Sequence, residues 1–173
     1  VYVDIDPETL NLDCEKVQRA ITSRTRAVIC QHTFGIPAET KRLRAICDKR
    51  SLALIEDCAH IIPDLPPVAP QIRGEGGRGI GTYGDILIMS FGRDKAVSGV
   101  TGGAALTRHP WISQRLERME REAEALSLWE ILNLIRYPMR YAFAKRLWNM
   151  RMAWLAKAYL TGIRHMGLLP PVY

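Results

Sequence analysis

The chain has 173 residues, 47% of them hydrophobic and 24% charged, with a formal net charge of +6. This is enough apolar material for one ordinary domain core, and it excludes disordered and collagen-like classes. Neither a run of about eighteen apolar residues nor a basic leader followed by an apolar stretch occurs, so the sequence shows no spanning helix and no signal peptide.

The charge is unevenly placed. Residues 1–103 carry 13 basic and 13 acidic groups, whereas residues 104–173 carry 11 basic and 5 acidic, so the whole excess lies in the second part. The first part alternates strand-like and helix-like segments. "VYVDI" opens as a strand already under way, which suggests a chain that extends upstream. Asp13 stands as the N-cap of a helix carrying Val17, Ala20 and Ile21 on one face. "RAVIC" is a β-branched, apolar strand, and "QHTFGIP" a loop in which Pro37 can begin the next helix, "AETKRLRAICDKR". "LALIED" is a short apolar strand that ends in two carboxylates. A loop rich in proline and glycine, Ile62 to Gly84, leads to the strand "DILIMSF", a bend holding Lys95, and the strand "GAALT". Strands separated by helices predict a mostly parallel sheet covered on both faces, with ligands gathered beyond the strands' carboxyl ends. His32, Asp57, Ser90 and Lys95 all fall at or just past such ends.

Four cysteines, at 14, 30, 47 and 58, are spaced too widely for a zinc ribbon or a redox pair, and read as free thiols of a reducing, cytoplasmic compartment. Cys30 with His32, and Cys58 with His60, each set a sulfur and an imidazole on one side of an extended segment. A zinc site can be assembled that way, but small buried core cysteines are the better reading, and no metal is expected. "GIGTYG", Gly79 to Gly84, matches a dinucleotide fingerprint, yet it precedes a strand instead of following one, so it reads as a flexible turn.

Asp57 ends a strand whose Leu52, Leu54 and Ile55 point to burial, and a buried carboxylate needs a cationic partner or a proton. Lys95 lies among Ala96, Ser98 and Gly99, small residues that leave room for a planar ligand; withdrawn from water, a lysine becomes a nucleophile toward carbonyls. Plainer readings stand beside these: Asp57 capping the following turn, Lys95 a solvated loop lysine.

"VYVDIDPETLNLD", "HTFGIPAE", "ALIEDCAH", "GTYGD" and "SFGRDK" followed by a Gly-Gly pair resemble, in order and nearly in spacing, the DegT/DnrJ/StrS sugar aminotransferases, pyridoxal-phosphate enzymes of fold type I. The resemblance covers residues 1 to about 108 and implies that these are the central part of the cofactor-binding large domain. Lys95 matches the lysine that holds the cofactor as an internal aldimine and then acts as acid and base. Asp57 matches the aspartate paired with the pyridine nitrogen, His60 a residue beside the ring and its 3-hydroxyl, and Ser90 a serine on the phosphate; His32 falls in the loop at the cofactor rim. The implied reaction moves an amine from an amino acid, glutamate as the usual donor, to a nucleotide-linked keto sugar of the kind used in polysaccharide biosynthesis, in a homodimer. Family dehydratases typically carry His in place of the lysine. Many members have Gly-Glu-Gly-Gly where this chain has Val100-Thr101-Gly102-Gly103, and the loop from Ile62 to Gly81 is longer and richer in proline than usual. Of the family's seven strands five can be placed. Its phosphate-binding helix start and stacked aromatic fall before Val1 and its small domain after Tyr173, so the 173 residues are expected to be inactive alone.

Residues 109–173 read as a helical segment or insertion. Pro110 onward gives an amphipathic helix of mixed charge. From Ile131 on there are seven Lys or Arg, no Asp or Glu, and interleaved Tyr137, Tyr141, Phe143, Trp148, Trp154 and Tyr159. Pro138 is expected to kink or divide this stretch. Three readings are open: a helical hairpin covering the enzyme or its dimer partner, a peripheral contact with the inner membrane face, and, least favoured because no reading motif is present, nucleic acid. A non-catalytic, cofactor-binding scaffold at the membrane is the functional alternative.

Overall fold

The computed structural model describes residues 1–63 and 79–169. The proline-rich stretch singled out in the sequence falls mostly outside the described residues. By its internal contacts the chain divides into two compact units, one comprising Val1–Ser98 with Gly102–Glu122, the other Gly99–Thr101 with the residues from Ala123 on.

The first unit is built on a four-stranded sheet in the order β1-β2-β3-β4, with β1 Ala27–Gln31, β2 Ala53–Asp57, β3 Ile86–Ser90 and β4 Gly103–Thr107. β1, β2 and β3 run parallel, whereas β4 is antiparallel to β3, with Ser90 opposite Gly103. The lysine bend therefore leaves and re-enters the sheet at one edge.

Helix α1 (Cys14–Ala20) starts where the sequence places it, the Asp13 carboxylate accepting from the N–H groups of Glu15 and Lys16. Helix α2 (Thr40–Arg50) begins later than Pro37, with Glu39 as its non-helical N-cap, and Ala38 before it gives its N–H to the His32 ring. Both helices pack on the sheet face that carries Val28, Cys30 and Leu54, closing a core with Cys14, Val17, Leu43, Cys47 and Leu52. Each fully buried leucine there contributes about 1.5–3 kcal/mol. The cysteines are core residues, as their spacing suggested.

Cover on both faces is not what the described residues provide. On the opposite face Ile29 is 63% exposed and Ile88 40%, because α1 and α2 both fall on one side. Val1–Ile5 is also not a strand. Its single bridge joins Ile5 to Leu12, and Val1 and Tyr2 are fully exposed; strand propensity is realised only through cross-strand neighbours. Helix α3 (Pro110–Glu122) packs on β4.

The second unit holds α4 (Leu128–Asn149) and α5 (Ala153–His165), packed on each other. A capping box starts α4: Glu130 N–H donates to Ser127 Oγ at 3.3 Å and Ser127 N–H to Glu130 Oε2 at 2.8 Å. Contrary to a division at Pro138, α4 runs through it unbroken. Cross-helix contacts hold it: Phe143 meets Tyr159 edge-on at 5.0 Å, and Arg140, which also donates to Asn133 Oδ1 of its own helix at 3.2 Å, donates to the Leu168 carbonyl beyond α5. Among the described residues no helix is long and apolar enough to cross a membrane.

Candidate active site

Side-chain alternation along β2 sends Glu56 and Asp57 to opposite faces. Leu54 and Glu56 point with Val28 and Cys30 into the helix-covered core, and Asp57 points with Ile88 to the open side. The buried, partnered carboxylate expected at Asp57 is therefore found at Glu56. Glu56 and His32 are both 0% exposed, and His32 Nε2 lies 3.2 Å from Glu56 Oε2. Because the Ala38 N–H donates to His32 Nδ1 at 3.1 Å, the ring proton sits on Nε2 and is donated to Glu56.

The remaining acceptor capacity of Glu56 is filled by backbone. Gly81 N–H donates at 3.0 Å and Tyr83 N–H at 2.7 Å, and Gly84 N–H joins them. The fingerprint-like turn is thus an anion cradle after all, but its anion is a carboxylate of the same chain. It is a pinned turn, not a flexible one. Burial pushes the Glu56 carboxyl up; the hydrogen bonds from His32, Gly84 and Gly81 outweigh it and hold the group below the ordinary carboxylate value.

His32 accordingly does not line a rim. It is a core residue with both nitrogens engaged, and it fixes the segment leading into α2. The sequence signal for the Glu56–His32 pair was present in the period of two along β2, where Glu56 shares the parity of Leu54.

The other four residues gather at one end of the sheet. Asp57 lies opposite Ile88 in the register, and Ser90 is two residues further along β3 on the same face. Asp57 is half-buried and does cap the following turn, Oδ1 accepting from Ala59 N–H at 2.9 Å; its other oxygen makes no hydrogen bond among the described residues. Ser90 Oγ accepts from Gly92 N–H at 3.4 Å. A Cβ on Gly92 would lie 3.5 Å from Lys95 Cγ and 3.6 Å from Ser90 Oγ, so the glycine lets the lysine stem pass beside the serine. Lys95 is half-buried and forms no ion pair among the described residues. His60, in the turn after Asp57, stacks on Phe34 with the ring centroids 5.8 Å apart, and its Nδ1 accepts from Phe34 N–H at 3.3 Å. That leaves Nε2–H pointing away from the backbone contact.

A carboxylate with a spare oxygen, an amine without a carboxylate, a hydroxyl and an imidazole donor at the carboxyl ends of parallel strands form a donor set suited to an anionic, electrophilic, heteroaromatic ligand. The model of the DegT/DnrJ/EryC1/StrS aminotransferase family matches residues 1–153. The chain belongs to that family. The match continues past β4 through most of the helical part.

A curated relative, the L-glutamine:2-deoxy-scyllo-inosose aminotransferase of Streptomyces kanamyceticus, is 34% identical over 122 residues, 70% of this chain and 26% of the relative. The chain thus spans about a quarter of the length of that protein. Among solved structures, DesI in the presence of its TDP-sugar product is 34% identical, with a TM-score of 0.56 over 68% of this chain and 28% of that one. The Escherichia coli GDP-4-keto-6-deoxy-D-mannose-3-dehydratase with bound hydrated PLP is 26% identical, with a TM-score of 0.52 over 66% and 27%. The fold is that of fold type I enzymes, and aminotransferases of this family depend on pyridoxal 5'-phosphate.

Proposed function

We propose that the whole protein is a pyridoxal-phosphate-dependent aminotransferase that moves an amino group from glutamate or a similar amino acid to a nucleotide-linked keto sugar. The observation that supports this reading is the placement of Asp57, Ser90 and the Lys95 bend at the same end of the sheet in a chain of this family. Lys95 Nζ would hold the cofactor covalently, Asp57 would face the ring nitrogen, His60 Nε2–H the ring oxygen and Ser90 the phosphate. When bound, the cofactor supplies an aldehyde for the donor amine and a cationic ring that accepts electron density.

The chain's own residues do the rest. Asp57, half-buried, would favour a proton on the group it faces, since a carboxylate beside a ring nitrogen in a site of reduced dielectric favours the protonated ring. Lys95 Nζ, which would anchor the cofactor, would as a free amine be placed to move the proton off the donor Cα, serving as anchor and then as acid and base. The small residues Gly92, Ala96 and Gly99 leave space for this swing. A lysine at position 95 favours amine transfer over dehydration.

The relatives' names support a sugar-like acceptor: one specifies L-glutamine and an inosose, and another structure is described with a TDP-sugar. We further place the protein in a homodimer and expect the 173 residues alone to be inactive.

The test uses the full-length protein. Borohydride reduction should attach the cofactor to the peptide containing Lys95, and amine transfer from glutamate to a panel of nucleotide keto sugars should follow. A protein with no adduct at Lys95 overturns the assignment. An adduct without amine transfer to any member of the panel supports the scaffold reading instead.

A further inference from the structure

The helical unit contains a cavity that plays no part in the proposed chemistry. It opens between α4 and α5, has a volume of about 300 Å³, and is walled by Tyr141, Trp148 and Leu160. Ala144 and Ala156, both buried, make it possible: larger side chains there would fill it. Two ammonium groups stand at it, Lys145 and Lys157, and Lys157 Nζ lies 6.0 Å from the centre of the Trp148 ring.

We propose that this cavity is a binding site for the phosphate-bearing headgroup of an anionic lipid, and that the α4–α5 hairpin rests on a membrane surface through it. Charge complementarity carries the choice. From Ile131 on the chain holds seven Lys or Arg and not one Asp or Glu, and neither lysine forms an ion pair among the described residues. Covering them with ordinary protein would strand two cations in a dry interface, which is costly unless acids face them. A layer of anionic headgroups supplies those acids, and it also suits amphipathic Tyr and Trp: Tyr141 and Trp148 are each 53% exposed at the mouth. The lining combines aromatic and aliphatic side chains with two cations, a composition suited to a charged head on an apolar body. Nucleic acid fits less well, because a cavity of this size with two cations has no groove along which a strand could run.

Co-sedimentation of the full-length holoprotein with vesicles tests this. Vesicles of phosphatidylcholine containing phosphatidylglycerol should retain the protein, and phosphatidylcholine alone should not. Lys145→Gln and Lys157→Gln should each lower retention about fivefold and the pair about 25-fold, as expected for roughly one lost headgroup attraction apiece. Lys145→Arg and Lys157→Arg should bind like the parent, which separates charge from folding. The tryptophan emission should shift to the blue on adding the anionic vesicles, and the shift should shrink in Trp148→Phe. Equal retention on both vesicle types, or unchanged retention in the double Gln variant, overturns the proposal. Displacement from the vesicles by modest inorganic phosphate would mean a small-anion site and also overturns it, as would retention on RNA without retention on vesicles.

Discussion

Glu56 Oε2 and His32 Nε2 lie 3.2 Å apart in a part of the core that no water reaches, with three backbone N–H groups closing around the same carboxylate. Removing the acid leaves four donors without acceptors. Glu56→Ala should therefore cost about 3–5 kcal/mol, the penalty of leaving several buried N–H donors unsatisfied at roughly 1–3 kcal/mol each. Glu56→Gln should cost less, because its carbonyl still serves some of the donors. Urea unfolding curves measure both.

The same group gives a pH dependence whose sign is fixed. The Glu56 carboxyl is held below its ordinary value of 4.5, so its stabilisation is complete above that pH and fades as pH falls through the lower folded-state value. Asp85 adds in the same direction. Burial raises its carboxyl, but the Leu54 N–H, Arg44 at 2.8 Å and His109 at 3.0 Å prevail and hold it below 3.8. The urea midpoint should drop on acidification below pH 4.5, and Glu56→Gln should flatten the profile without abolishing it, since Asp85 remains.

Asp57→Asn in the full-length protein separates site from fold. The side chain is half-buried on the open face, so stability should change by less than about 1 kcal/mol. Amine transfer should fall about 10- to 1,000-fold, corresponding to the loss of a charge that shifts a facing group by roughly one to three pKa units. The borohydride adduct at Lys95 should persist. Loss of the adduct together with the activity would assign Asp57 to holding the cofactor in place.

Val100 occupies left-handed backbone, with φ +72°. A β-branched side chain is strained there. Val100→Gly should stabilise the protein by about 1 kcal/mol, read as a rise in the thermal midpoint, provided the strain outweighs glycine's greater freedom in the unfolded chain. A fall in the midpoint would show that the valine side chain has packing that repays its backbone.

Cys14, Cys30 and Cys58 are buried, and burial pushes each thiol up to about 12, with nearby carboxylates (Glu39 at Cys14, Glu56 at the others) adding to it. Native protein at neutral pH should resist alkylation at all three, and unfolding in urea should release them together. Fast labelling of one of them in the native state would contradict the described core.

Much of this was legible in the sequence, and the failures share a cause. Asp13 as a cap, "GAALT" as a strand and the bend around Lys95 were readable because each depends on neighbours in sequence. The errors concern neighbours in space. "VYVDI" has the right residues for a strand but only a single bridge, Ile5 to Leu12, among the described residues. Pro138 sits in a helix whose other face is held by α5. Burial was assigned to Asp57 because it ends the apolar run, although strict alternation from Leu54 selects Glu56 and leaves Asp57 on the open side. His32 looked like a ligand because it follows a strand, and only the fold reveals that its two nitrogens are occupied by Glu56 and Ala38.

The back-to-back placement of two adjacent acids makes β2 unusually intolerant of insertion. A single added residue between Ala53 and Ile55 would shift the strand's end by half a period, setting Ile55 against the cradle and turning Glu56 outward into the place of Asp57. Drift in length at this strand would be felt twice, once in the architecture and once in the chemistry.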